Sequence, residues 1–465
     1  MNDRSPSEVG GGARRRHPPE DWPEDHFFAL DPARAYPVLD RADHVYVWDT
    51  EGNRYLDAVA GLGVVNIGYG RTEVADAMAA QAARMPFNAG NIFSNEPAIR
   101  LAAVIAEMAP GDLNWVHFTS GGSEAVEVAL KMARQYHVER GQPERDRIIG
   151  RWTSYHGATL GGLSVGGAVG RRAKYLPMLL DMPHIPPIYC YRCPFGLTYP
   201  TCQVTCADEL EREILRVGPE KVAAFIAEPV VASVGGAIQP QAEYFPKIRE
   251  ICDRYGVLLI VDEVITGFGR TGRNFGIEHY GVVPDLMIMG KGISSGYSPL
   301  AAVAVRDHVH QAFVDAHAAF EHIFTFGGNP VSAAAGLAVL DIFRREHLAE
   351  NAAEHADAFA AALEPLREFW FVGDIRTIGY MGGIEFVANH ATKEPFPASR
   401  HVALMVRDAS LRNGLVTYPG TGMAGGGAGD IISLYPPLTA GKPELDEMSE
   451  LLLATFRDVA ATLGG

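Results

Sequence analysis

The 465-residue sequence lacks the features of a membrane protein or a nucleic-acid-binding protein. It contains no apolar run of the roughly 18 residues that a helix needs to cross a bilayer. Its formal net charge is −16, and a surface this acidic repels nucleic acids and anionic membranes. No internal repeat is visible either. We therefore expect a chain that binds neither nucleic acid nor membrane.

Cysteine is scarce, and no export signal is visible. Only five cysteines occur, and four of them are grouped as Cys190, Cys193, Cys202 and Cys206. The arginines at 14–16 are not followed by an apolar segment, so the N-terminus does not read as a signal peptide. An odd number of cysteines without an export signal predicts a cytoplasmic protein.

The four grouped cysteines have the spacing C-x2-C-x8-C-x3-C. This pattern is compatible with a zinc site and also with free or buried thiols in a loop. The spacing is irregular for zinc, and the scattered histidine pairs show no consistent ligand geometry. We therefore predict no metal site.

Helix and strand patterns alternate along the middle of the chain. The apolar runs typical of buried strands are VHFTS (116–120), VAAFIAEPV (222–230), VLLIVDEV (257–264) and DLMIMGK (285–291). Between them lie amphipathic helix patterns such as YFPKIREICDRYG (244–256), whose last glycine is a typical helix end. This alternation predicts an α/β fold with a mostly parallel sheet covered by helices on both faces.

A chain of this length predicts one large and one small domain. We expect a disordered tail at residues 1–20, a large domain at 71–330 and a small C-terminal domain at 331–465. Residues 21–70 contain the β-hairpin pattern HVYVWDTEGNRYL at 44–56. We expect this N-terminal segment to join the small domain.

A glycine-rich turn, SGGSE at 120–124, lies between a predicted strand and a predicted helix. Such a turn presents backbone N–H groups at a helix N-terminus, where a phosphate is stabilised. Ser123 adds a hydroxyl donor and can also cap the helix. An ordinary capped helix start has the same pattern, so this motif alone leaves both interpretations open.

Two charged residues follow buried strand patterns, Asp262 after LLIV and Lys291 after LMIMG. Ligands of open α/β sheets bind beyond the carboxyl ends of the strands. A carboxylate there can keep a pyridine nitrogen protonated, and a partly desolvated lysine amine can form a Schiff base. Taken singly, Asp262 could equally bind metal or cap a loop, and Lys291 could simply be solvated. Tyr155 could stack on a ring or merely pack.

Together these segments resemble the signatures of the class III aminotransferases, a family that uses pyridoxal phosphate (PLP). The matching segments are FTSGGSEAVEVALKMAR (118–134), SYHGATLG (154–161), IAEPV (226–230), LLIVDEVITGFGRTG (258–272), MIMGKGISSGYSPLAAV (287–303) and HIFTFGGNP (322–330). The similarity runs from about Tyr46 to the C-terminus. It implies the PLP-dependent transferase fold related to aspartate aminotransferase, with a mostly parallel, seven-stranded-type sheet and a smaller α/β domain.

The resemblance implies a role for each matching residue. Lys291 would carry PLP as a Schiff base and later move a proton between carbon centres, and Asp262 would pair with the pyridine nitrogen. The other residues implied to bind the cofactor are Tyr155, His156, Glu228 and Val264 at the ring and Gly121, Gly122, Ser123 and Thr325 at the phosphate. Thr325 would reach the phosphate of the neighbouring subunit, because family members are homodimers with active sites at the interface. The sequence leaves open whether two such dimers form a tetramer.

The implied reaction moves an amino group from an amine or ω-amino acid to a 2-oxo acid or other carbonyl acceptor by a ping-pong mechanism. Aminomutases, racemases and decarboxylating transaminases would keep Lys291, Asp262 and the phosphate turn, so they remain alternatives. The sequence Gly-Ser-Glu-Ala at 122–125 favours the transaminases. The intact lysine, aspartate and tyrosine disfavour a non-catalytic binding protein.

Two departures from the family pattern concern the substrate. Many relatives that resemble omega-transaminases have an aromatic residue where this chain has Gly63, which predicts a wider pocket on that side. Relatives that bind a substrate carboxylate often use an arginine in the late loop, but TGMAGGGAGD (421–430) contains none. The residues expected to line the substrate pocket are Leu62, Gly63, Phe87 and Ser233.

Overall fold

The structure is a computed structural model that describes residues 26–425 and 427–464. The predicted disordered tail, residues 1–20, lies outside the described residues. In the described part, the strands β1 to β15 lie at Leu39–Asp43, Tyr46–Asp49, Arg54–Asp57, Trp115–Thr119, Arg147–Arg151, His184–Ile185, Val222–Ala227, Leu258–Asp262, Leu286–Met289, Ala301–Val305, Val372–Ile378, Met381–Phe386, Leu415–Val416, Tyr418–Gly420 and Ile431–Leu434. The helices α1 to α14 of the same residues lie at Ala60–Gly63, Thr72–Arg84, Glu96–Met108, Gly122–Glu139, Leu160–Val165, Val169–Arg172, Thr205–Val217, Tyr244–Tyr255, Asp307–Asp315, Pro330–Arg345, Leu348–Glu354, Ala356–Leu363, Val402–Arg412 and Lys442–Leu463.

A seven-stranded sheet in the order β4-β10-β9-β8-β7-β5-β6 forms the centre of the molecule. Its strands pair in parallel from β6 to β9, and only β10 runs antiparallel to its neighbours. Along β8, Leu259 and Val261 belong to one cluster of buried side chains, whereas Leu258 and Ile260 belong to another. Both faces of the sheet are therefore covered, and the predicted α/β fold is confirmed.

Two four-stranded sheets flank this centre, in the orders β1-β2-β3-β13 and β11-β12-β15-β14. The antiparallel pair β2 and β3 is the hairpin that the sequence predicts at residues 44–56. Strand β13, from the C-terminal part of the chain, pairs in parallel with β3. The N-terminal hairpin is thus hydrogen-bonded to the C-terminal part of the chain. The domain boundaries at 21–70, 71–330 and 331–465 stay predictions.

The direction of the strands decides where the candidate functional residues emerge. In the parallel pair β8 and β9, Asp262 lies opposite Ile288, so the residues that follow both strands leave the sheet at one edge. Strands β7 and β5 end at the same edge, and β4 leads there into α4. No described helix has the length and apolar composition needed to span a membrane.

Candidate active site

A cavity of about 170 Å³ opens at the carboxyl edge of the central sheet. The segments after β4, β5, β7, β8 and β9 all contribute to its wall. The residues that line it are Gly122, Ser123, Val126, Tyr155, His156, Gly157, Glu228, Asp262, Val264, Ile265, Thr266 and Lys291. The structure therefore brings together all the predicted cofactor residues except Gly121 and Thr325.

Lys291 follows β9 and is held in an unusual backbone conformation. Its φ of 46° lies in the left-handed region, which is costly for a residue with a Cβ and is often found at functional sites. The amine Nζ donates a hydrogen bond of 2.8 Å to the carbonyl oxygen of Leu62. Burial lowers the pKa of Lys291 to about 8, although the carboxylates of Asp262 and Glu228 oppose this shift. Near neutral pH a useful fraction of this amine is therefore uncharged.

Asp262 is buried at the end of β8 and is fixed by two hydrogen bonds. Its Oδ2 lies 2.8 Å from Nδ1 of His156, and its Oδ1 accepts a bond of 3.0 Å from the backbone N–H of Val264. His156 is buried as well. Because both oxygens are engaged, the orientation of this carboxylate is fixed by the protein.

The neighbouring Glu263 has a different role. It is fully buried, and its carboxylate accepts the backbone N–H groups of Gly276 and Ile277 at 2.9 and 2.7 Å and the hydroxyl of Thr266. Burial raises the pKa of Glu263 to about 7. Its side chain holds a loop in place, which leaves Asp262 as the carboxylate of this pair that lines the cavity.

Glu228 follows β7 and connects two loops at the cavity. Its Oε1 accepts a bond of 3.0 Å from the backbone N–H of Tyr155, and its Oε2 accepts one of 3.1 Å from Ala232. Burial raises the pKa of Glu228. The carboxyl group therefore fixes the backbone that carries the half-buried ring of Tyr155.

The glycine-rich turn becomes the start of helix α4 at Gly122, after the N-cap residue Gly121. Ser123 does not cap the helix; its Oγ accepts a hydrogen bond of 3.1 Å from the backbone N–H of Ala158. Gly157 has a φ of 102°, and a Cβ there would lie 2.5 Å from Oγ of Ser123. The loop can thus approach the helix N-terminus, whose first N–H groups have no intrahelical acceptor and favour an anion.

These groups fit PLP, which has an aldehyde, a basic ring nitrogen and a phosphate. The cavity provides a lysine amine, a fixed carboxylate and a helix N-terminus. In addition, Nε2 of His156 is buried and has no hydrogen-bond partner among the described residues, a deficit that a bound group can satisfy.

Two predicted substrate-pocket residues lie beside the cavity. The carbonyl oxygen of Leu62 accepts the bond from Lys291, while its side chain is exposed. Gly63 is buried with a φ of 69°, and a Cβ at this position would lie 3.5 Å from Ile265 and 3.7 Å from the ring of Tyr435. Since Ile265 lines the cavity, Gly63 lies at the edge of the cavity and has no side chain that would extend into it.

Three other predicted site residues do not line this cavity. Phe87 is exposed and packs edge-on against Phe326, with ring centroids 6.1 Å apart. Ser233 is buried, and its hydroxyl has no partner among the described residues. Thr325 is exposed. The binding roles of all three stay predictions.

One residue near the cavity was not predicted from the sequence. Arg171, in α6, places its guanidinium carbon 4.5 Å from the centre of the Tyr155 ring and donates a hydrogen bond of 3.0 Å to the hydroxyl of Tyr418. The run VGRRAK at 169–174 has the appearance of an ordinary charged surface segment. Only the fold shows that one of its arginines lies beside Tyr155.

The grouped cysteines form a separate, small and mainly apolar cavity of about 30 Å³. All five cysteines of the chain are free thiols. Burial raises the pKa of Cys206 to about 11, so this thiol is a poor nucleophile at neutral pH. Across residues 26–425 and 427–464, no group of three or more histidine, cysteine, aspartate or glutamate side chains is placed to hold a metal ion.

Known proteins resemble this chain over nearly its whole length. The family model described as aminotransferase class-III matches residues 31–456. A probable aminotransferase of Mycobacterium tuberculosis is 42% identical, over 93% of this chain and 92% of that protein. A putrescine–pyruvate aminotransferase of Pseudomonas aeruginosa is 39% identical, over 92% of this chain and 91% of that protein.

Solved structures agree with these sequence relatives. A thermostable (S)-enantioselective omega-transaminase from Thermomicrobium roseum has 40% identity and a TM-score of 0.88, covering 94% of this chain and 96% of its own. An omega transaminase from Pseudomonas jessenii, solved in complex with PMP, has 32% identity and a TM-score of 0.86, covering 92% of this chain and 94% of its own. The chain therefore belongs to the class III aminotransferases and is a PLP-dependent enzyme.

Proposed function

We propose that this aminotransferase takes an amino group from a primary amine or ω-amino acid and transfers it to a 2-oxo acid or another carbonyl compound. The observation that carries the proposal is the amine of Lys291, whose pKa is lowered to about 8 and which shares one cavity with Asp262 and Ser123. A lysine, a carboxylate and a helix N-terminus at the edge of one sheet are the groups that this chemistry requires.

Lys291 would form the covalent link to the cofactor and, once the donor amine has displaced it, act as the general base. When bound, PLP supplies a carbonyl carbon that takes the amino group and a ring that accepts electrons. The lowered pKa favours this role because a neutral amine is needed to take the proton from the carbon that bears the amino group. Lys291 would then deliver that proton to the cofactor carbon that has taken the amino group.

Asp262 would hold a proton on the pyridine nitrogen. His156 and the N–H of Val264 fix the two carboxylate oxygens, so little reorganisation is needed during the reaction. Tyr155 and Val264 would contact the ring. Glu228 would act as a positioning residue, because it accepts the backbone N–H of Tyr155.

The phosphate would bind at Gly121, Gly122 and Ser123, the first residues around the N-terminus of α4. We further propose a homodimer in which Thr325 of one subunit reaches the phosphate site of the other. Large exposed apolar side chains near this segment support a contact surface: Phe87, Ile92, Phe93, Ile323 and Phe326. A cytoplasmic location is likewise proposed, on the basis of the five free thiols.

Gly63 supports a donor with a bulky substituent on the carbon that bears the amine. The space next to Ile265 and Tyr435 is not filled by a side chain at this position. The relative from Pseudomonas aeruginosa is named for putrescine and pyruvate, so these two compounds are the first donor and acceptor to test. The relative from Thermomicrobium roseum is described as (S)-enantioselective, so both enantiomers of a chiral amine belong in the panel.

An optical half-reaction tests the proposal. The purified enzyme is loaded with PLP, and amines and amino acids are added one at a time without an acceptor. We expect the yellow colour of the lysine-linked cofactor to bleach in stoichiometric amount and to return with pyruvate or 2-oxoglutarate. A spectrum that shifts but never bleaches would instead favour an aminomutase or racemase, and released carbon dioxide would favour a decarboxylating transaminase.

A further inference from the structure

The proposed acceptor, a 2-oxo acid, brings a carboxylate into an acidic cavity. Asp262 and Glu228 line the cavity, and like charges at short range disfavour binding. The loop at 421–430 contributes no arginine or lysine. A cation from outside this loop would therefore favour binding of the carboxylate.

Two arginines lie close enough to Lys291 to lower its pKa, Arg270 and Arg171. Arg270 is fully buried and donates to the carbonyl oxygen of Pro436 and, at 2.5 Å, to Oδ1 of Asn66. Two of its guanidinium nitrogens thus join two segments of the fold. Burial also lowers the pKa of Arg270 to about 9. Although its buried Nε has no hydrogen-bond partner among the described residues, Arg270 is fully buried and is therefore less accessible to a substrate than the exposed Arg171.

Arg171 has the opposite surroundings. It is exposed, and within the described residues its side chain forms no ion pair; its contacts are the ring of Tyr155 and the hydroxyl of Tyr418. A guanidinium has five N–H donors, and only one is used by Tyr418. The remaining donors form the planar fork that binds a carboxylate with two hydrogen bonds.

Both contacts place the guanidinium of Arg171 close to residues at the active-site cavity. Tyr155 lines the cavity that contains Lys291, and Tyr418 begins β14, which leads into the glycine-rich loop. The adjacent Arg172 differs, because it is buried and donates at 2.6 Å to the carbonyl oxygen of Gly166. Of these two neighbours, only Arg171 is available to a ligand.

We propose that Arg171 binds the substrate carboxylate and so determines the preference for carboxylate-bearing acceptors over neutral ones. This inference rests on the proposed function. It assigns the anion-binding role to an element distant in sequence from the late loop, which contains no cation.

The test compares pyruvate with propanal as acceptors, using the PLP-loaded enzyme and one amine donor. In Arg171→Gln we expect the ratio of kcat/KM for pyruvate to kcat/KM for propanal to fall roughly 10- to 100-fold, mainly through KM, as expected for a lost charge-assisted bidentate contact. Arg171→Lys should give an intermediate ratio, because a point charge replaces the fork. Lys174→Gln, which removes a positive charge from an exposed site in the same segment, should leave the ratio unchanged.

A binding measurement separates this inference from the proposed function. Propionate, a carboxylate that cannot react, is titrated against the loaded wild type and Arg171→Gln, with propionamide as the neutral control. Weaker binding of propionate alone in the variant supports the inference even if no amino group is transferred. An unchanged acceptor ratio together with unchanged propionate binding would overturn it, and so would an equal loss in Lys174→Gln.

Discussion

The two sides of the cavity are built in different ways. The cofactor side, defined here as Lys291, Asp262, His156, Glu228 and Ser123, comes from the carboxyl ends of strands of the central sheet, the segments after them and the first turn of α4. These residues form hydrogen bonds with one another or with nearby backbone groups, as in the 2.8 Å contact between His156 and Asp262. Three of the five, Asp262, His156 and Glu228, are buried, and Lys291 and Ser123 are partly buried.

The substrate side, defined here as Gly63, Arg171 and Tyr418, comes from α1, α6 and β14, which are far apart in the chain. Its arginine is exposed and contacts the ring of Tyr155 and the hydroxyl of Tyr418. This difference in construction corresponds to two tasks, cofactor chemistry and substrate selection. The cofactor side holds the groups that the chemistry needs, whereas the residues of the substrate side lie on short elements and can be changed without disturbing the sheet.

Replacing Lys291 tests the cofactor side most severely. In Lys291→Ala we expect turnover to fall by at least about 10⁴-fold, because both the covalent link and the general base are lost. PLP should still bind, but without the colour of the lysine-linked form. Steady-state rates and absorbance spectra measure both effects. Turnover within tenfold of wild type would show that another group does this work, and partial rescue by added methylamine would support the assigned role.

The pH dependence of cofactor attachment tests the same residue. Only the neutral amine attacks the aldehyde, so below the pKa the rate should fall about tenfold per pH unit. Since burial lowers the pKa of Lys291 from 10.5 to about 8, the rate of colour formation in apoenzyme should rise up to about pH 8 and then level off. The rates are normalised to those of a small lysine amide. A rate that climbs to about pH 10.5 would mean that the amine is not desolvated.

Gly63 offers a way to narrow the substrate side. We expect Gly63→Trp to reduce kcat/KM for a bulky aryl amine roughly 10- to 100-fold relative to putrescine, because the indole occupies space next to Ile265. Gly63→Ala is the matched control, since it introduces the same strain at a φ of 69° but adds a Cβ at an ordinary 3.5 Å from Ile265. Equal losses in both variants would attribute the effect to strain rather than to pocket size.

The smallest expected effect concerns the support of Arg171. Tyr418→Phe removes the hydroxyl that accepts the 3.0 Å bond from the guanidinium and leaves the ring. We expect the ratio of kcat/KM for pyruvate to that for propanal to fall only roughly twofold to fivefold, as for one neutral hydrogen bond. A fall as large as that of Arg171→Gln would mean that the hydroxyl itself contacts the substrate.

Much of the fold could be predicted because its signals are local. The strands near residues 116–120, 222–230, 257–264 and 285–291 each appear in the sequence as a short apolar run, and all are found in the central sheet. The helix predicted at 244–256 ends, as expected, with its C-cap Gly256 at a φ of 62°. Such patterns depend only on neighbouring residues and on burial of both faces.

In the candidate site, too, only the residues with a local sequence signal could be predicted. Asp262 and Lys291 could be identified because each directly follows an apolar strand. In contrast, no local pattern distinguished Arg171 from its neighbour Arg172, although one is exposed beside Tyr155 and the other is buried. Sequence neighbours have nearly the same local signals, and only the direction of each side chain in the fold separates them.

The sequence by itself thus determined the α/β class, the family and the residues that follow the strands, because period, spacing and motif are properties of short segments. The tertiary structure alone decided that Glu263 supports a loop while Asp262 lines the cavity. It also decided that Arg171 reaches Tyr418, 247 positions further along the chain. Contacts between distant segments depend on how the strands are ordered and how helices pack on them, and this information is spread over the whole chain.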